Sequence, residues 1–195
     1  MHITLCVYPI CPKVVFLKVF ITGMPGVGKT TVVQEVIAIL KERGLKVGGI
    51  YCPEIRVGNI RVGFEIIDLL IDKRGILSHI DQSSGPKVGK YRVNIQDLSN
   101  VGVKALSQAM NEADCIVIDE IGPMEMQGRD FQEVVKHIVE GNKPVLGIIH
   151  WKMNHWLIDL IKGRGDVRII EVTLKNRMTI PTIIASEILE RHESG

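Results

Sequence analysis

Several features that mark extreme function classes are missing from this chain. The formal net charge is only +2, so the sequence carries no strong electrostatic footprint for nucleic acid, which neither requires nor excludes such a partner. The 4 cysteines, Cys6, Cys11, Cys52 and Cys115, show no C-x-x-C spacing, which argues against zinc ribbons and thioredoxin-like redox motifs. Cys115 opens an apolar run, where a cysteine serves as a small buried hydrophobe. This usage fits a reducing setting and an expected cytoplasmic location. No apolar stretch reaches the length of a membrane span, and no internal repeat or low-complexity segment is visible.

What remains is globular. The 195 residues are 46% hydrophobic and 24% charged, enough for one domain with a sizeable core. Residues Met1 to Phe20 are apolar and partly resemble a signal peptide. Lys13 and Lys18 interrupt that run, however, and Pro9 and Pro12 break it. Its second half is needed as a core strand, from Val14 to Ile21. Residues 1–13 are therefore read as an N-terminal extension and 14–195 as a single domain.

That strand leads directly into Gly23-Met24-Pro25-Gly26-Val27-Gly28-Lys29-Thr30, a complete G-x-x-x-x-G-K-T phosphate loop. A helical pattern follows from Lys29 to Arg43. Glycines let the backbone close around phosphate oxygens where a Cβ would collide. Successive N–H groups and the positive helix end then face the anion. Lys29 is expected on the β- and γ-phosphates, the Thr30 hydroxyl on Mg²⁺, and Thr31 beside them.

The rest of the chain alternates strands with helices, which implies a mainly parallel, doubly wound α/β sheet. Strands are expected at Val47–Tyr51, Lys90–Ile95, Cys115–Asp119, Pro144–Ile149 and Val167–Val172. Helices are expected at Asp97–Glu112, Phe131–Glu140, Trp156–Lys162 and Thr182–Arg191. One departure is the alternation on either side of Gly58-Asn59, which predicts an inserted β-hairpin over Pro53–Ile66, its second arm continuing to Leu70. Asp81–Gly89 reads as a loop.

Ile116-Val117-Ile118-Asp119-Glu120 is an apolar strand ending in two carboxylates. Ligands bind at the carboxyl ends of strands in open α/β sheets, so Asp119 is assigned to Mg²⁺ and Glu120 to the attacking water. Ile121, Gly122 and Pro123 extend this stretch of the nucleotide site. Arg56, Arg61, Arg129, Arg164 and Arg177 are candidates for stabilising charge on the transferred phosphoryl group. Asn176 and Arg177, after the last strand, are placed for base contact. His150 and His155 lie too far apart for one helical face and lack a third ligand, so no zinc site is assigned. His150 ends a core strand, where it can sense phosphate or serve as a plain loop residue. Trp151 and Trp156 are read as covering the core edge.

Taken together, Gly23 to Thr31, Gly48-Gly49-Ile50-Tyr51 with Glu54 and Arg56, Arg61-Val62-Gly63-Phe64, Val88-Gly89-Lys90-Tyr91 leading to Val93, Asp119-Glu120-Ile121-Gly122-Pro123-Met124-Glu125, and Val172-Thr173 with Asn176-Arg177 resemble the THEP-type P-loop nucleoside-triphosphatases. The resemblance runs from about residue 18 to about residue 181. It implies a RecA-like form of the P-loop fold and Mg²⁺-dependent hydrolysis of nucleoside triphosphates, ATP and GTP among them, with loose base selectivity. It departs at Pro123, where some relatives carry Lys, and in the N-terminal extension. A nucleotide or polynucleotide kinase using the same site, and a nucleotide-timed switch, are the alternatives. A monomer is expected.

Overall fold

The computed structural model describes residues 18–193; the predicted extension 1–13, Cys6 and Cys11, and residues 14–17 of the first strand lie outside them. Among the described residues one ten-stranded sheet runs in the order β10-β1-β9-β8-β2-β4-β5-β7-β6, with β3 paired to β4. Its strands are β1 (Lys18–Thr22), β2 (Val47–Tyr51), β3 (Glu54–Val57), β4 (Ile60–Asp68), β5 (Arg74–His79), β6 (Lys87–Val88), β7 (Tyr91–Val93), β8 (Cys115–Ile121), β9 (Val145–Ile149) and β10 (Val167–Glu171). The run β10-β1-β9-β8-β2 is parallel throughout. Every pairing beyond β2 is antiparallel.

The helices are α1 (Lys29–Glu42), α2 (Ile95–Asp97), α3 (Lys104–Glu112), α4 (Arg129–Glu140), α5 (Trp156–Lys162) and α6 (Ile180–Glu193). All but the short α2, which lies by β5, cover the two faces of the parallel part. Alternate residues of each buried strand feed opposite cores, as the period of two requires. Val19 and Ile21 join Val32, Val33, Val36 and Leu40 of α1 and Ile184 and Ile188 of α6. Phe20, Ile116 and Ile118 join Leu106 and Ala109 of α3 and Phe131, Val135 and Ile138 of α4. These strands have no solvated face, which is why they read as continuous apolar runs. Cys115 is fully buried among them.

Two expectations need correction here. The inserted hairpin is present, with β3 and β4 joined across Gly58-Asn59, but it belongs to a larger antiparallel extension that also holds β5, β6 and β7. Strand β5 lies in a stretch to which the sequence assigned no element; its short apolar core, Ile76 and Leu77, is too brief to show a period. Strand β6 falls inside the expected loop. The single helix expected over Asp97–Glu112 instead begins at α2 and passes through a π-helical turn, Leu98–Val103, before α3. Gly102 in that turn is buried, and a Cβ there would come within 2.6 Å of Ile66 Cδ1, so the wide turn lies directly on β4.

Candidate active site

The phosphate loop occupies the carboxyl end of β1 and feeds α1. Gly23, Gly26 and Gly28 have φ of 142°, 77° and 104°, conformations that side chains with a Cβ rarely adopt. At Gly23 a Cβ would also lie 2.6 Å from the Val172 carbonyl oxygen of the chain leaving β10. Gly28 is the N-cap of α1 and supplies no capping side chain. No N-cap side chain takes up the first N–H groups of that helix, and a helix N-terminus of this kind suits an anion. The Lys29 ammonium donates to the carbonyls of Gly23 at 3.0 Å and Met24 at 3.3 Å, which holds it across the mouth of the loop. Met24 is exposed, and Val27 closes a turn through its N–H to the Met24 carbonyl at 3.3 Å.

The acidic strand β8 does not neighbour β1; β9 lies between them. This spacing still brings the two halves of the site together. Thr30 Oγ1 donates to Asp119 Oδ1 at 3.4 Å, and the Cys52 N–H at the end of β2 donates to Asp119 Oδ2 at 3.1 Å. Asp119 is 2% exposed. Burial raises its pKa to about 7, assisted by the neighbouring Glu120, while the Cys52 N–H and the Thr30 hydroxyl pull the other way. A buried carboxylate with a hydroxyl beside it, close to a loop built for phosphate, is a hard-oxygen donor set of the kind Mg²⁺ takes.

Glu120 follows with φ 132°, one of the non-glycine residues at positive φ among those described. The β8–β9 register shifts between Ile118 and Ile121, so this irregular backbone interrupts the ladder where the strand reaches the site. Such conformations persist where the surroundings over-determine them, and they cluster at functional sites. Glu125, in a 3₁₀ turn just beyond, is 5% exposed, and burial followed by the Glu120 charge raises its pKa to about 8. Burial also pushes the Cys52 thiol well above its ordinary range, with Asp119, Glu125 and Glu120 adding to the effect.

Other sequence assignments fare unevenly. Ile116, Val117, Ile118 and Ile121 are at most 1% exposed. Their buried side chains anchor in the two cores the strand that carries Asp119 and Glu120. Gly122 is buried and Pro123 half-buried beside them. Arg164 pairs with Asp166 at 2.7 Å, and Asp166 precedes β10 at the amino end of the sheet. That places it at the wrong end for the transferred phosphoryl group. Arg56 and Arg61 stand on the hairpin, both paired to Glu54 at 2.7 Å. Arg61 also donates to the Tyr91 hydroxyl at 2.9 Å and lies over the Phe64 ring. Arg129 opens α4 as an exposed side chain. His150 follows β9, its N–H donating to the Ile121 carbonyl at 3.2 Å. Trp151 and Trp156 are substantially exposed.

Asn176 spends its side chain on its own loop, accepting from the Thr173 N–H at 2.7 Å and donating to the Glu171 carbonyl at 2.9 Å. That loop sets Arg177 over the phosphate loop: a Cβ on Gly28 would lie 3.7 Å from Arg177 Cδ. A cavity of about 230 Å³ opens there, lined by Gly28, Thr31, Val32, Glu35, Arg177 and Met178. Glu35, Met178, Cys52 and a role for Glu125 escape sequence reasoning. Only Glu125 had a signal, its place in the run that begins at Asp119.

A phosphate loop on one parallel strand, an acidic strand two places away and helices on both faces define a P-loop NTPase fold of RecA-like strand order. The chain belongs to the family described as NTPase, whose model matches residues 18–185. It is 44% identical over 169 residues to the nucleoside-triphosphatase THEP1 of Thermofilum pendens, covering 86% of this chain and 93% of that protein. It is 43% identical over 173 residues to the protein of the same name from Methanocaldococcus jannaschii, covering 89% and 98%. Among solved structures it is similar to the crystal structure of THEP1 from the hyperthermophile Aquifex aeolicus, with TM-score 0.78, 34% identity and coverage of 88% of this chain and 99% of that one. It is also similar to the solution structure of a human cancer-related nucleoside triphosphatase, with TM-score 0.73, 32% identity and coverage of 88% and 97%.

Proposed function

We propose that this protein is a Mg²⁺-dependent nucleoside-triphosphatase that converts NTP and water to NDP and inorganic phosphate within one domain, residues 14–195, in the cytoplasm. The observation that carries the reading is the meeting of Thr30 and Asp119 at 3.4 Å, residues 89 apart in sequence, beside the Lys29 ammonium. The loop N–H groups and Lys29 bind the β- and γ-phosphates. Thr30 and Asp119 would hold Mg²⁺, which supplies charge neutralisation at the phosphates when bound. Glu120 accepts a hydrogen bond from the attacking water, aligns it with the γ-phosphorus and takes its proton. The new P–O bond then forms as the β–γ bridge breaks. No phosphoryl acceptor other than water is needed, and free phosphate from NTP alone is the expected product.

The cavity beside Arg177 suits a base held by stacking and apolar contact. Its walls offer a guanidinium, a thioether and the exposed Glu35. Base selectivity is therefore loose. ATP, GTP and other triphosphates should be hydrolysed with kcat/KM values within about 10³-fold of one another, since a larger ratio needs a dedicated hydrogen-bonding site. A nucleotide panel exceeding that ratio contradicts this part of the reading.

The test of the chemistry compares two neighbours. Glu120→Gln should lower kcat by roughly 10²- to 10⁴-fold, the usual contribution of a positioned base, with nucleotide binding retained. Asp119→Asn should weaken Mg²⁺-nucleotide binding as well as turnover. Calorimetric Kd and phosphate release on both variants decide it. Near-wild-type kcat in Glu120→Gln would mean that another group positions the water.

A further inference from the structure

Glu125 is one of few charged side chains buried among the described residues, and the hydrolysis proposed above gives it no task. Its Oε2 accepts the Gly122 N–H at 3.1 Å, while the Gly122 carbonyl accepts the Met126 N–H at 3.0 Å. Gly122 is thus gripped through both of its backbone polar groups by the turn that follows β8. Two residues before it stands Glu120 at φ 132°. A non-glycine residue keeps such a conformation only when its neighbours enforce it.

Gly122 is also where the two glutamates converge. A Cβ there would lie 3.1 Å from Glu125 Oε2, 3.2 Å from Glu120 Cγ and 3.3 Å from Glu120 Cδ. A side chain that merely caps a turn needs neither burial nor a strained neighbour. Here the cap, the strain and a second carboxylate coincide at one missing side chain.

We propose that Glu125 is a positioning residue for Glu120: by holding the Gly122 backbone, it fixes the strained strand end and so the place of the carboxylate that orients the attacking water. This rests on the water-orienting reading of Glu120. Glu125 itself touches neither water nor phosphate.

The test uses Glu125→Ala, Glu125→Gln, Glu120→Gln and the Glu120→Gln/Glu125→Ala double variant of the full chain. It measures kcat by single-turnover phosphate release, Kd for Mg²⁺ with a non-hydrolysable triphosphate, and the melting temperature. Glu125→Ala should lower kcat by about 10²-fold, the cost of a misplacement near 1 Å, with Kd moved by less than about threefold. Glu125→Gln retains an acceptor for the Gly122 N–H and should restore kcat to within about threefold. In the Glu120→Gln background, adding Glu125→Ala should cost less than about threefold more, because no carboxylate is left to place. Gly122→Ala deletes no chemical group but forces both glutamates to shift by a few tenths of an ångström. It should lower kcat in the same non-additive way, and it carries the test if Glu125→Ala does not fold.

Near-wild-type kcat in Glu125→Ala, or a full 10²-fold loss added on top of Glu120→Gln, overturns the proposal. If Glu120→Gln alone retains wild-type turnover, the reading of Glu120 fails first and this inference goes with it. A loss in Glu120→Gln together with additivity sinks the inference alone.

Discussion

At the amino end of β1 the Lys18 ammonium, 1% exposed, meets Asp166 at 2.6 Å, and Asp166 is gripped from its other side by Arg164 at 2.7 Å. At the opposite end of the same sheet Asp119 and Glu125 are as deeply buried, yet each lies beside the Glu120 charge, and neither forms an ion pair among the described residues. Their electrostatics run in opposite directions. Arg164 first, and then Lys18, hold the Asp166 carboxyl well below the usual carboxylate range. Burial first holds Asp119 and Glu125 well above it. One end of the sheet has completed its charge balance within the chain and contributes stability. The other crowds carboxyl groups together, pushing Asp119 and Glu125 towards their neutral forms, where a cation and a polyphosphate are expected, which costs stability and makes room for chemistry.

The largest effect should come from breaking the second end. Lys29→Ala removes the loop's own cation from a half-buried position that belongs to neither apolar core. Hydrolysis should fall by 10³-fold or more, since loss of even one preorganised charge donor costs about 10²- to 10³-fold, while thermal melting stays close to wild type. A folded, active variant would remove the phosphate-loop assignment.

The first end should respond in stability alone. Asp166→Asn strands the buried Lys18 and should cost about 3 kcal/mol, the low end for a broken buried pair because Asp166 is itself 23% exposed. Lys18→Met with Asp166→Asn, which removes both charges, should recover most of that loss. Urea midpoints would show it, with kcat per folded molecule unchanged. A fall in kcat parallel to stability would mean that the two ends are coupled.

The test that most sharpens the contrast is the response to pH. Glu125 keeps in the folded state a proton that the unfolded chain releases. The stability this contributes is complete below the unfolded carboxyl pKa and is lost as pH rises through about 8. Asp119 behaves likewise through about 7. Asp166 has the opposite sign, since its depressed pKa contributes stability above the unfolded value that is lost as pH falls through the folded one. In EDTA and without nucleotide, urea midpoints should therefore decline between about pH 5 and about pH 8, by at most about 1.4 kcal/mol per unit for each group, and level off above that. Glu125→Gln should flatten the decline, and a flat wild-type curve would contradict the raised pKa values.

The parallel half of the molecule was legible in the sequence because it is built from local signals. Apolar runs rich in β-branched residues, such as Ile116–Ile118, read as strands buried on both faces, and the glycines from Gly23 to Gly28 have few uses besides wrapping an anion. The antiparallel half was not. Strand β5 is too short to show a period, and it is a strand because β4 and β7 hydrogen-bond to it. The helical segment from Ile95 to Glu112 shows the right stripe but not its π-helical turn, which depends on Gly102 resting on Ile66.

The same division runs through the site. Residue chemistry marked Lys29 and Thr30 as parts of one phosphate loop and Asp119 and Glu120 as candidates for the same centre, because glycine-loop geometry and charge type are local signals. The fold brings Thr30 and Asp119 to 3.4 Å. Only the tertiary structure decided that Arg164 stabilises the far end of the sheet and that Arg177 overlooks Gly28. Only it decided that the Cys52 N–H donates to Asp119 and that Glu125 accepts the Gly122 N–H. A charge has the same identity wherever it lies, but its pKa and its role follow from the solvent it loses and the partner it meets, and in this fold those are set by strands far apart in the chain.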